Sequence, residues 1–194
     1  MKTLYNNILI ISILTLIFMG TVNAQTQTLD NYTGKWNFET DNSTVSFKIG
    51  NLFILNVTGD MNVIQGYFKQ CEQTEIAATI DIASLNTGIT KRDEHLKSED
   101  FFYIEKHPEI KFHSNHKIVK SEDDEYMYQT KGMLTIRGIQ KEETVLFNIQ
   151  KESKDVILIK GEAEINRFDY DVDHKMMGMG DEANIMIEVR ASLE

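Results

Sequence analysis

The sequence predicts an all-β domain, an antiparallel barrel or sandwich interrupted by one short helix. Two patterns carry this expectation. Apolar residues recur at every second position along most of the chain, as in strands with one buried face. Glycines and polar turn residues separate these runs at short intervals, which leaves no room for the crossover helices of a parallel sheet.

The chain opens with Lys2, an apolar run from Ile8 to Met19, and small residues at Val22 and Ala24. This is the pattern of a secretory signal peptide over residues 1–24. The run is shorter than the ~18 apolar residues that span a bilayer, and no later stretch approaches that length. The remaining chain is expected to form one domain over residues 29–194, because no repeat, low-complexity tract or proline-rich linker divides it and Pro108 is its only proline.

The alternation begins with Val45, Phe47 and Ile49 against Ser46 and Lys48. It returns in Ile76, Ala78, Ile80 and Ile82, in Ile110 and Phe112, in Leu134 and Ile136, and in Val145, Phe147 and Ile149. Ile185, Ile187, Val189 and Ala191 close the chain in the same rhythm. Gly34, Gly50, Gly59, Gly66, Gly132, Gly138 and Gly161 are read as marking strand ends, and Ser121–Glu125 as a charged turn. Between Thr87 and Phe102 the spacing of Ile89, Arg92, Asp93, Leu96 and Lys97 changes to that of a short helix.

A formal charge of −10 makes nucleic acid and anionic membrane surfaces poor partners. The lone Cys71 cannot form an internal disulfide, so the fold must rest on packing. Arg92, Asp93 and His95 are candidates for an acid/base site, with structural ion pairing and capping as the simpler reading. His113 and His116, an odd number apart on one strand, point to opposite faces and do not suit joint metal ligation. His174, Met176, Met177 and Met179 form a candidate Cu(I) cluster, set against the plainer reading of methionines lining a barrel rim.

Four blocks together resemble the YceI-like, polyisoprenoid-binding family. They are Thr79–Thr87, Arg92–Phe102 with its Asp93, His95 and Ser98-Glu-Asp-Phe-Phe, His107–Ser114, and Gly132–Gly138 with Leu-Thr-Ile-Arg-Gly. The resemblance implies an exported, lipocalin-like extended antiparallel β-barrel with a helix at one end, enclosing a long isoprenoid or isoprenoid quinone. It implies binding without catalysis and without a cofactor or metal; oligomeric state stays open, a dimer included. Phe47, Ile80, Ile82, Leu85, Phe112, Leu134, Ile136 and Phe147 are then expected to face the ligand, with Leu96, Phe101 and Phe102 closing one end. Arg92 and His95 are the candidates for meeting a polar head group. An enzyme acting on such a lipid through Asp93 and His95, and a Met/His copper carrier, are the competing readings.

Overall fold

The computed structural model describes residues 28–51, 56–172 and 178–194. The predicted leader, and His174, Met176 and Met177 of the candidate copper cluster, lie outside the described residues.

The chain forms β1 (Gly34–Asn51), β2 (Val57–Gln70), β3 (Thr74–Asn86), α1 (Thr90–Lys97), β4 (Glu109–Ser114), β5 (Val119–Lys120), β6 (Tyr128–Ile136), β7 (Ile139–Lys151), β8 (Val156–Asn166) and β9 (Met179–Leu193). One-turn 3-10 helices, Leu29–Tyr32 and Arg167–Tyr170, precede β1 and follow β8. The hydrogen-bonded order is β4-β3-β2-β1-β9-β8-β7-β6-β5, and a further β4–β6 pairing closes the sheet. All the pairings are antiparallel. The fold is thus a closed eight-stranded antiparallel barrel with one α-helix, and the two-residue β5 is an appendage to β6.

The strands are longer than the short elements expected, with 18 residues in β1 and 15 in β9. Consequently Gly59, Gly66, Gly132 and Gly161 fall inside strands and not at their ends. Close approach explains them. A Cβ at Gly59 would lie 2.7 Å from the Phe47 ring of the neighbouring strand, and Gly66 and Gly132 give the same room to Phe38 and Phe112. Glycine here is a gap into which an inward aromatic ring lies. The β6–β7 hairpin depends on positive φ. Arg137 (φ 51°) and Gly138 (φ 78°) form its two-residue turn, as a type I′ geometry requires. The Arg137 Nη1 donates to the carbonyls of Phe101 and Asp171, both at 2.7 Å, and so binds the turn to two loops at the same end of the barrel.

The other end is plugged by the first 3-10 turn. Tyr32 and Trp36 are each 1% exposed and pack with Phe68, Tyr128, Phe147, Ile149 and Ile157. The Tyr32 hydroxyl donates to the Ile149 carbonyl at 2.9 Å, and Trp36 Nε1 donates to the Tyr32 carbonyl at 2.8 Å, so both buried polar tips are satisfied.

A register shift in β1 between Asn37 and Thr44 leaves residues 39–42 outside the regular ladder. Glu39 anchors this irregularity by accepting from the Ser192 hydroxyl, Arg190 Nη1 and Asn42. These partners, Ser192 first, hold the Glu39 carboxyl below its ordinary value of 4.5. A carboxyl depressed in the folded state adds stability that is present above the unfolded value and lost as the pH falls through the folded one. A Glu39→Gln protein should therefore show a shallower drop in Tm than the wild type between about pH 6 and about pH 3.5. Parallel curves for the two proteins would contradict this role.

Candidate functional site

The inward faces of eight strands converge on an apolar interior that is not completely filled. Two adjoining cavities run along it. The larger, about 140 Å³, is lined by residues of β1–β4 and β6–β9, including Phe38, Val63, Ile80, Phe112, Leu134, Phe147, Ile159 and Ile187. The smaller, about 70 Å³, lies toward α1 and the second 3-10 turn and is lined by Phe47, Val57, Leu96, Phe101, Phe102, Tyr170, Met179 and others. Met61, Ile110, Ile136, Ile165 and Ile185 border both cavities and form a waist between them.

The larger space is comparable to an engineered apolar cavity of ~150 Å³ that stays dry and admits benzene. It has room for a ring-sized group as it stands. A longer chain must part the waist, whose side chains are held by packing and not by hydrogen bonds.

Ile80, Phe112, Leu134 and Phe147 stand on the wall of the larger cavity, Phe47, Leu96, Phe101 and Phe102 on that of the smaller, and Ile136 on both. Ile82 and Leu85 are buried in the surrounding core and line neither cavity. They are three residues apart yet both buried. The β2–β3 register shifts between Asp81 and Asn86, and a Ser84 hydroxyl that donates to the Asp81 carbonyl at 2.6 Å marks the irregularity that turns Leu85 back inward.

Arg92 and His95 also lie off the cavity walls. Arg92 donates from Nε to the Thr87 hydroxyl and from Nη2 to the Thr87 carbonyl, both at 2.8 Å. Asp93 accepts from the Thr87 amide at 2.9 Å and from its hydroxyl. This is an anchoring knot between the end of β3 and the first turn of a helix that buries only Leu96. His95 is exposed, 3.4 Å from Asp100 and edge-on to Phe101 with ring centres 5.0 Å apart. Asp93 and His95 therefore engage separate partners, and the structure does not bring them together as an acid/base pair. His113 of β4 pairs with Glu75 of β3, whereas His116 lies beyond the end of β4, not on the same strand, and pairs with Glu142 of β7. Among the described residues no group of three or more His, Cys, Asp or Glu is placed to hold a metal ion.

The barrel wall also carries groups that the sequence reading did not single out. Met61 and Val63 of β2 and Ile159, Ala163 and Ile165 of β8 alternate like the others, but glycines at 59 and 161 interrupt their apolar rhythm. Glu143 is a carboxylate at an inward position of β7, two residues before Val145 and four before Phe147, and it lines the larger cavity. The Tyr170 hydroxyl donates to Glu143 Oε1 at 2.7 Å. Burial, and then this bond to a carboxylate, push the Tyr170 phenol well above its ordinary value. Arg167, 5% exposed, borders the smaller cavity and donates to the carbonyls of Gly180 (2.9 Å) and Val172 (2.8 Å). Asn166, whose side chain accepts from the Phe168 amide at 3.0 Å, is the cap that could have revealed this turn.

Known proteins match this architecture. The YceI-like domain model matches residues 36–191, from the plug tryptophan to the last strand. The chain belongs to the YceI-like family. A UPF0312 protein of Photorhabdus laumondii is 33% identical over 138 residues, covering 69% of each chain. A UPF0312 protein of Staphylococcus aureus is 32% identical over 146 residues, covering 70% of this chain and 81% of its own length. Among solved structures, BcnA of Burkholderia cenocepacia superposes with a TM-score of 0.68 at 21% identity, covering 80% of this chain and 99% of BcnA. A polyisoprenoid-binding domain from Saccharophagus degradans, implicated in plant cell wall breakdown, superposes with a TM-score of 0.66 at 15% identity, covering 82% and 98%. At these identities the two structures share the YceI-like fold with this chain.

Ile136 tests the waist. Truncating it to Ala joins the two spaces and removes buried methyl groups, which should lower Tm by roughly 5–15 °C. A loss under about 2 °C would mean that the waist collapses freely and does not partition the interior.

Proposed function

We propose that this protein binds one long apolar molecule of the polyisoprenoid or isoprenoid-quinone type inside the barrel, outside the cytoplasm, and carries or sequesters it without chemical change. The single observation that supports this most is the unfilled, almost wholly apolar space along the barrel axis. Around it stand the family membership and the likeness in fold to a polyisoprenoid-binding domain. Each 100 Å² of tail removed from water would contribute roughly 2.5 kcal/mol. A tail long enough to thread both spaces needs no strong polar contact, and parting the side chains of the waist is the cost set against that gain. Export rests on the leader pattern of residues 1–24.

The enzyme reading loses its pair, since Thr87 engages Asp93 while His95 faces Asp100. The copper reading keeps only Met179 among the described residues, on the wall of the smaller cavity.

Native mass spectrometry of protein purified from its own host should show a discrete apolar adduct that solvent extraction removes. An Ala163→Phe variant, which fills the larger cavity from β8, should lose the adduct while keeping its far-UV circular dichroism. An adduct of unchanged occupancy in that variant would place the ligand elsewhere. The exported form should begin at Gln25, and N-terminal sequencing of the mature chain checks it.

A further inference from the structure

No polar atom reaches the surface of either cavity, although Thr130 and Glu143 stand among the wall residues of the larger one. A head group with hydrogen-bonding atoms therefore finds no partner inside, and burying it unpaired is costly. Only an apolar tail suits the axis of the barrel, and the head has to remain at one of its two ends.

The end nearest the larger cavity is shut. Phe68 and Phe147 stand on that cavity's wall and belong at the same time to the aromatic cluster around Tyr32 and Trp36, which do not line it. Phe68 pairs directly with Trp36 across the β1–β2 ladder, and the Phe147 ring packs on Tyr128 with centres 5.8 Å apart. Behind this floor the Tyr32 hydroxyl and Trp36 Nε1 donate to main-chain carbonyls. Both donors are engaged, so a head group gains nothing there, and a tail that arrives meets packed rings.

We propose, on the lipid-binding reading, that this aromatic floor is a ruler. The ligand lies with the end of its tail against Phe68 and Phe147 and its head at the α1 end. The distance between floor and α1 end then sets the longest prenyl tail that the barrel encloses whole. From Val57 on the smaller cavity to Phe68 at the floor, β2 advances about 28 Å along the axis, at roughly 3.3 Å per residue and a tilt of about 40°. That exceeds an extended geranylgeranyl chain and falls short of an extended solanesyl chain.

The all-trans prenols from geraniol to solanesol share one head and differ only in tail length. Equilibrium binding to the wild-type protein should tighten roughly 10-fold or more with each isoprene unit until the tail meets the floor, and then level off. Val145 faces the larger cavity two residues before Phe147, so a Val145→Phe ring enters existing space and raises the floor. In that variant binding should level off at a shorter prenol. A Tyr32→Ala/Trp36→Leu variant, which opens the floor, should level off at a longer one.

Trp36 is the chain's only tryptophan and stands just behind the floor, so its emission reports what reaches it. Geranylgeraniol brominated on its last tail unit should quench Trp36, and geranylgeraniol brominated beside the head should not. This measurement uses the wild-type protein and decides the orientation even where a plug variant does not fold. Quenching from the head position alone would overturn the ruler while leaving lipid binding intact. So would wild-type binding that keeps tightening through solanesol, or a Val145→Phe protein that levels off at the same prenol as the wild type. No binding of any prenol would overturn the lipid-binding reading and the ruler together.

Discussion

Closure of the sheet is the constraint on which everything else in this protein depends. β4 and β6 meet over three residue pairs, Lys111 with Thr135, Phe112 with Leu134 and His113 with Met133. β6 and β7, by contrast, pair from Tyr128–Phe147 to Ile136–Ile139. Where the β4 ladder stops, the Ser114 hydroxyl takes over, meeting the Thr130 hydroxyl at 3.1 Å and donating to the Lys131 carbonyl. Without this seam the molecule would be an open sheet with two exposed edges and no interior. Phe112 and Leu134, paired directly across the seam, also line the larger cavity. The shortest ladder among the eight barrel strands and the wall of the larger cavity thus share the same few residues.

Once the barrel is closed, its two ends receive different treatment. One is sealed with large aromatics whose polar tips find backbone partners, Tyr32 on Ile149 and Trp36 on Tyr32. The other is covered by elements of little intrinsic stability. They are a helix that buries a single side chain, a one-turn 3-10 segment and the loops gathered by Arg137. Such elements open at lower free energy than a barrel wall. The smaller cavity lies behind the end covered by α1 and the second 3-10 turn.

The wall strands were legible because a half-buried strand writes its burial into every second residue. Val45 to Ile49, Ile76 to Ile82 and Val145 to Ile149 face inward as the alternation requires. What the sequence hides is whatever breaks that period for a reason of packing between strands. Gly59 and Gly161 read as terminators because the groups that need the space, the Phe47 ring and the Leu146–Phe147 backbone, belong to other strands, and Leu85 is out of phase with a regular strand because of the β3 irregularity. The Arg92–His95 region drew attention through its residue types, but its geometry turns Arg92 and Asp93 onto Thr87 and leaves His95 outside. Glu143 escaped notice for the opposite reason. A glutamate in a strand looks like a solvent residue, and only the register of β7 shows that it points inward.

The glycines opposite Phe38, Phe47 and Phe112 bear on how such a barrel can change over generations. Each ring lies where a neighbour's side chain would otherwise be, so neither member of a pair can be replaced alone without a clash or a void. A side chain acquired at the glycine is accommodated only if the ring is lost as well and, at Gly66 and Gly132, only if the backbone also moves away from the Ala77 and His113 carbonyls, 2.7 and 2.9 Å from the added Cβ. The calibre of the interior is therefore inherited in coupled steps, and lineages that drift toward a wider or narrower bore must pass through intermediates that are less stable than either end point.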